Sequence, residues 1–139
     1  MKVKRLHPLA RLPERATPGS SGCDLYACTE TEIEVGRDPT LIPTGIAIEA
    51  PAGFDVQIRP RSGLSARGVM GTFGTIDSDY RGELMVTLYC VGNLSSYIVR
   101  DGDRIAQLVV AVLASFDLRE VTDLSDSARG AGGHGSTGP

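Results

Sequence analysis

A chain of 139 residues is most simply one domain, long enough to bury about two thirds of its unfolded surface. Aromatic residues are only 5% of it and tryptophan is absent, so the core has to be built from Val, Ile and Leu. A formal net charge of −3 argues against broad electrostatic attachment to nucleic acid or to an acidic membrane, while leaving room for a local basic pocket.

The opening stretch, MKVKRLHPLARLP, is positively charged, but no apolar run of signal-peptide length follows it. The longest purely apolar run, residues 108–114, is far too short to span a bilayer, which makes a cytoplasmic protein the default expectation. Cys23, Cys28 and Cys90 are odd in number and contain no CxxC pair, so reduced, partly buried thiols are expected rather than a disulfide or metal site.

Strict alternation then marks one strand after another. IEV and IAIE are short examples. FDVQIRP sets Phe54, Val56 and Ile58 against Asp55, Gln57 and Arg59, and LMVTLYC puts Leu84, Val86 and Leu88 on one face. Turn sequences separate these runs: PGSSG, VGRDP, PTG, PAG, VGN and RDGD. RIAQLVVAVLASF is long enough for a helix, but its β-branched density and the preceding Asp101-Gly102 turn predict a strand. One short helix is expected after Ser62, which can cap it, with Gly68 as its left-handed C-terminal residue. Many short strands with regular turns imply an all-β sandwich or barrel. Only the last eleven residues stand apart in composition.

Several residues carry possible chemistry. In PRSGLSARG, Arg61, a hydroxyl and free helix N–H groups converge, which suits phosphate oxygens as well as an ordinary capped turn. Asp77 in GTIDSDYRGE could serve as a general base or a metal ligand, but Asp is common in turns, so by itself it reads first as a turn-former. Gln107 places an amide inside an apolar strand and therefore needs a partner, in the core or on a ligand. Asp24 follows a flexible turn and is ambiguous alone. The ending RGAGGHGSTGP combines Arg129, His134, Ser136 and Thr137 with glycines whose backbone can wrap phosphate, yet such a composition equally suits a loose tail.

Taken together, PGSSGCDLYA, PRSGLSARG, GTIDSDYRGE, GDRIAQLVV and RGAGGHGSTG resemble, in order, the five motifs of the trimeric dUTPases, over about residues 18–138. The resemblance implies a β-barrel-like jelly roll with one short helix and a flexible Gly-rich C-terminal arm. It divides the chain into a β domain, residues 1–128, and a lid, residues 129–139, that closes over the nucleotide of a neighbouring subunit. It also implies a homotrimer with three shared sites and Mg²⁺-assisted hydrolysis of dUTP to dUMP and pyrophosphate. That reaction limits uracil in DNA and supplies a thymidylate precursor.

Carried over residue by residue, Asp77 resembles the base that activates water and holds the sugar 3′-hydroxyl. Tyr80 resembles the ring that leaves no room for a 2′-hydroxyl. Arg61, Ser62 and Gly63 would hold phosphates, and Gln107 would sit near the α-phosphate and the attacking water. Asp24 would lie in the magnesium water shell, with the ion otherwise held mainly by the triphosphate. Arg129, Gly135, Ser136 and Thr137 would cover the β- and γ-phosphates. The chain departs from many members in having His134 where phenylalanine stacks on uracil, and Gly71 where some have a base-contacting asparagine. Pyrimidine recognition is therefore expected from backbone groups between Gly71 and Ile76, including Gly74 and Thr75, and at Met85. A dCTP deaminase shares the fold but needs a catalytic glutamate where this chain has Thr87. A non-catalytic relative would be expected to lose Asp77, Tyr80 or Arg129, and a nucleic-acid-binding tail fits poorly with one arginine and an acidic net charge.

Overall fold

The alternating segments become eleven elements in a computed structural model that describes residues 1–132. They are β1 (Lys2–Arg5), β2 (Gly22–Tyr26), β3 (Ile33–Val35), β4 (Thr40–Glu49), β5 (Phe54–Arg59), α1 (Ser62–Ser65), β6 (Val69–Gly71), β7 (Gly74–Ile76), β8 (Glu83–Cys90), β9 (Tyr97–Val99) and β10 (Arg104–Val112). Two four-stranded sheets, ordered β1-β4-β8-β6 and β2-β10-β5-β7, are accompanied by the β3-β9 pair, and every pairing is antiparallel. The expected all-β architecture with one short helix is therefore the one observed. No helix among the described residues is long and apolar enough to cross a membrane.

The predicted inward faces meet in one core. Leu84, Val86 and Leu88 from β8 lie in the same cluster as Val56 and Ile58 from β5, Leu25 from β2, and Ile105 and Leu108 from β10. Truncating one of these leucines to alanine would cost on the order of 2–5 kcal/mol through lost burial and the cavity left behind. Phe54 does not join them and is 41% exposed, because it pairs with Val112 where both strands have run past the core. Cys28 and Cys90 are buried and Cys23 is partly buried, all three as free thiols. Burial raises the pKa of both Cys28 and Cys90, so neither offers a thiolate at neutral pH.

Strand β4 departs from alternation in the middle. Its pairing with β8 shifts register between Pro43 and Ala47, leaving Thr44 and Gly45 in a bulge. Gly45 takes φ +67°, and a Cβ there would lie 2.7 Å from the Cys28 sulfur, so the position excludes side chains on both counts. Two bonds hold the bulge to the start of β8. The Thr44 hydroxyl donates to the Leu84 carbonyl at 2.6 Å, and the Gly45 N–H donates to Glu83 Oε1 at 2.7 Å.

Among the described residues regular structure ends at Val112, and sixteen residues separate it from the composition break at Arg129. Residues 113–128 carry Leu113, Phe116, Leu118, Val121 and Leu124, all exposed.

Candidate active site

Two groups of polar residues lie at opposite ends of strand β5. At the Arg59 end, Asp24 on β2 stands opposite Gln107 on β10, and Gln107 in turn stands opposite Arg59 on β5. Asp24 is 4% exposed, and both of its carboxylate oxygens are engaged by cations. Arg61 Nε approaches Oδ1 at 3.5 Å, and Arg104 Nη1 donates to Oδ2 at 3.2 Å. Arg61 Nη1 also donates to the Arg104 carbonyl at 2.8 Å, so its guanidinium is held in one plane by two acceptors. The Gln107 amide, half-buried on its strand, reaches Asp24 Oδ1 at 3.5 Å, which gives it a partner. Arg104 was not singled out by the sequence. The signal available was the unpaired aspartate, since a carboxylate buried on a strand requires a cation beside it.

Asp24 thus orients Arg61 and Arg104 and offers no open face for a metal. Among the described residues, no group of three His, Cys, Asp or Glu side chains could hold an ion. The described residues alone do not fit a magnesium held by protein side chains.

The helix α1 begins beside this cluster. Arg61, not Ser62, is its N-cap, with extended backbone and no side-chain capping bond. Ser62 is the first helical residue, so its hydroxyl does not cap the helix, and the N–H groups of Ser62 and Gly63 have no acceptor within the helix. Gly68 takes φ +86°, as expected for the turn that closes the segment.

At the other end of β5, strand β7 runs along its edge with Ile76 opposite Val56 and Gly74 opposite Ile58. Asp77 follows at once and opens a turn in which the Tyr80 N–H donates to the Asp77 carbonyl at 3.1 Å. The Asp77 side chain is exposed and lies outside the ion pairs formed among the described residues. It stands on the common wall of two clefts. One, of about 190 Å³, is lined by Thr75, Ile76, Asp77, Tyr80, Glu83, Leu84 and Met85. The other, of about 510 Å³, lies toward Asp55, Ser78, Asp79 and Leu113.

Tyr80 is fixed within the first cleft. Its hydroxyl donates to the Glu83 carbonyl at 2.9 Å, and its ring occupies the space where any side chain on Gly82 would fall, the ring Cζ lying 2.6 Å from an ideal Cβ. A side chain at position 82 would therefore have to displace the ring above it, a second feature that the sequence reading missed.

Gly71 and Gly74 line neither cleft. Gly71 is buried opposite Leu88, and a Cβ there would sit 3.3 Å from Pro60 and 3.4 Å from Leu88. The stretch expected to meet a base, Gly71 to Ile76, narrows to Thr75 and Ile76, with Met85 across the cleft. Thr87 lies half-buried on β8 opposite Leu41 and brings no acid to the site.

Asp77 and Gln107 do not meet within the chain. Asp77 lies level with Asp55 and Gln107 level with Arg59, so four residues of β5 separate them, roughly 13 Å along the strand. Arg129 turns back on its own segment, Nε donating to the Gly132 carbonyl at 2.7 Å. His134, Gly135, Ser136 and Thr137 lie outside the described residues.

The all-β framework thus holds an arginine-rich polar cluster at one end of a sheet and an exposed carboxylate beside an aromatic ring at the other. The chain belongs to the dUTPase family, whose model matches residues 9–138. It is 46% identical over 142 residues to a deoxyuridine 5′-triphosphate nucleotidohydrolase of Syntrophotalea carbinolica, covering 99% of this chain and 96% of that protein. It is 48% identical over 133 residues to the protein of that name in Treponema denticola, covering 93% and 92%. Among solved structures, the dUTPase of Staphylococcus bacteriophage 80alpha with dUPNHPP superposes with a TM-score of 0.87 at 27% identity, covering 99% and 98%.

Proposed function

We propose that the chain hydrolyses dUTP to dUMP and pyrophosphate, with water attacking the α-phosphate in sites shared between the subunits of a homotrimer. The Asp77–Tyr80 turn carries this reading, because it joins a carboxylate outside the ion pairs of the described residues to a hydrogen-bonded aromatic ring on one cleft. In this arrangement Asp77 accepts the sugar 3′-hydroxyl and orients and deprotonates the attacking water. The Tyr80 ring closes the space a 2′-hydroxyl would need. The uracil edge meets the outer side of β7, which is the last strand of its sheet, so the backbone N–H and C=O groups of alternate residues there face away from the ladder. Cytosine presents a donor where uracil presents an acceptor, so fixed backbone groups discriminate between them.

The phosphates belong to the other end. A triphosphate bears about four negative charges, which must be masked and held in line for attack at phosphorus. Arg61 is pre-oriented by Asp24 and Arg104, the N–H groups of Ser62 and Gly63 are free to bond oxygen, and Gln107 faces the same cluster. Magnesium would arrive on the triphosphate oxygens and screen their charge.

Two observations support assembly. Asp77 and Gln107 are too far apart in one chain to act on one phosphorus, so a complete site takes them from different copies. The segment 113–124 exposes five large apolar side chains, with Leu118 at 92%, as suits a strap that packs on a neighbour. Residues 129–139 then form the lid, with Arg129 on the γ-phosphate, Gly135, Ser136 and Thr137 along the phosphates and His134 stacked on uracil. The deciding experiment compares pyrophosphate release from dUTP, dCTP, dTTP and UTP. Selective release from dUTP is expected, and comparable turnover of UTP or dTTP would overturn the assignment.

A further inference from the structure

Glu83 is a carboxylate on the wall of the nucleoside cleft for which the reaction as described has no use. Its side chain is engaged with the β4 bulge. Oε1 accepts the Gly45 N–H at 2.7 Å, inside the β4 bulge, where the left-handed backbone leaves that N–H without a ladder partner. Its backbone carbonyl, on the other hand, accepts the Tyr80 hydroxyl at 2.9 Å. One residue therefore ties the bulge to the ring that screens the sugar.

The neighbouring bond, from the Thr44 hydroxyl to the Leu84 carbonyl, holds the same bulge to the next residue of the same strand but does not involve the carbonyl that accepts the Tyr80 hydroxyl. The chain reaches the gate from Glu83 through Gly82, where no side chain can brace the ring from below. The position of Tyr80 then depends on its hydroxyl, and its hydroxyl depends on where the first residue of β8 is anchored.

We infer that Glu83 is a positioning residue for sugar selection: by clamping the Gly45 N–H it fixes the carbonyl that holds Tyr80, and so sets the discrimination between deoxyribose and ribose. The inference rests on the functional reading above, in which Tyr80 excludes the 2′-hydroxyl.

The test is the ratio of kcat/KM for dUTP to that for UTP, measured on the full chain. Glu83→Ala should lower this ratio about tenfold, on the order of one net hydrogen bond. Glu83→Gln, whose amide oxygen can still accept from Gly45, should restore it. Thr44→Val should lower thermal stability and leave the ratio unchanged. In combination with Tyr80→Phe, which keeps the ring and removes the hydroxyl, Glu83→Ala should add little further loss, because both act through one bond.

A wild-type ratio in Glu83→Ala overturns the inference. So does a loss in Thr44→Val equal to that in Glu83→Ala, which would mark a purely structural effect. Should Glu83→Ala fail to fold, Tyr80→Phe decides alone, and an unchanged ratio there is fatal. Absence of dUTP turnover by the unmodified chain would instead defeat the functional reading and the inference with it, a result distinct from turnover with unaltered selectivity.

Discussion

The two ends of β5 solve opposite problems. At the Arg59 end, charges satisfy one another before any ligand arrives: Asp24 is buried under Arg61 and Arg104, and Gln107 closes the group. At the Phe54 end, Asp77 is exposed and outside every ion pair among the described residues, while the aromatic ring beside it is fixed by a hydrogen bond. The first end is rigid because an internal anion organises its cations. The second keeps its carboxylate outside the ion pairs of the described residues, as the proposed exchange of protons with water requires. A cation cluster built without Asp24 would repel itself, and a base tied to an arginine would lose basicity.

This contrast is broken most severely at Asp77. Asp77→Asn removes the proton acceptor and keeps the shape, so turnover of dUTP should fall by about two to four orders of magnitude with much smaller change in nucleotide affinity. Steady-state kinetics together with binding of a non-hydrolysable analogue would separate the two. Near-normal turnover would reduce Asp77 to a turn residue. The partition between copies is tested next. Asp77→Asn chains and Gln107→Ala chains, each inactive alone, should regain part of the activity when mixed and allowed to exchange subunits. Each mixed assembly then contains some sites with both residues intact. Failure to recover any activity after verified exchange would count against sites shared in this way.

Much of the framework was legible beforehand because period-two alternation reports burial directly: Val56, Ile58, Leu84, Val86 and Leu88 are all in the core. The β4 bulge was not legible. PTG reads as a turn between strands, whereas Pro43, Thr44 and Gly45 lie inside one ten-residue strand whose register shifts around them. Asp77, Tyr80, Arg61 and Gln107 were each visible as unusual residues, but their distribution over two ends of a sheet depends on strand pairings between segments far apart in sequence. Arg104 and Gly82 escaped notice for a similar reason. An arginine after a turn and a glycine before a strand are unremarkable until Asp24 and Tyr80 are placed against them.

Intermediate in size is the effect expected at the organised end. Asp24→Asn keeps the volume but leaves Arg61 and Arg104 facing each other without an anion between them. Stability should drop by about 1.5–3 kcal/mol, toward the lower figure because Arg104 is half exposed and water can take over part of the bond. Denaturant unfolding would measure the loss, and phosphate binding should weaken along with it. A variant of unchanged stability would show that the two guanidiniums do not need Asp24, and the contrast between the ends would lose its physical basis.

The smallest effect is expected where neither end is involved. Lys2 on β1 donates to Glu49 Oε1 on β4 at 2.9 Å, and this bond, with the charge of Lys2, lowers the Glu49 pKa from its ordinary 4.5. A carboxyl whose pKa is lower in the folded chain binds fewer protons there than when unfolded. The stabilisation from the pair is therefore complete above about pH 4.5 and disappears as the pH falls through the lowered folded value. Lys2→Ala should remove that slope in acid and leave behaviour at neutral pH nearly unchanged, since an exposed pair adds little and salt screens it. Unfolding followed across the acid range, in low and in high salt, makes the comparison. Activity and the dUTP-to-UTP ratio should both stay at the wild-type level. A change in either would mean that the β1 edge communicates with the cleft, so that the two ends of β5 are not the only parts of the fold governing the site.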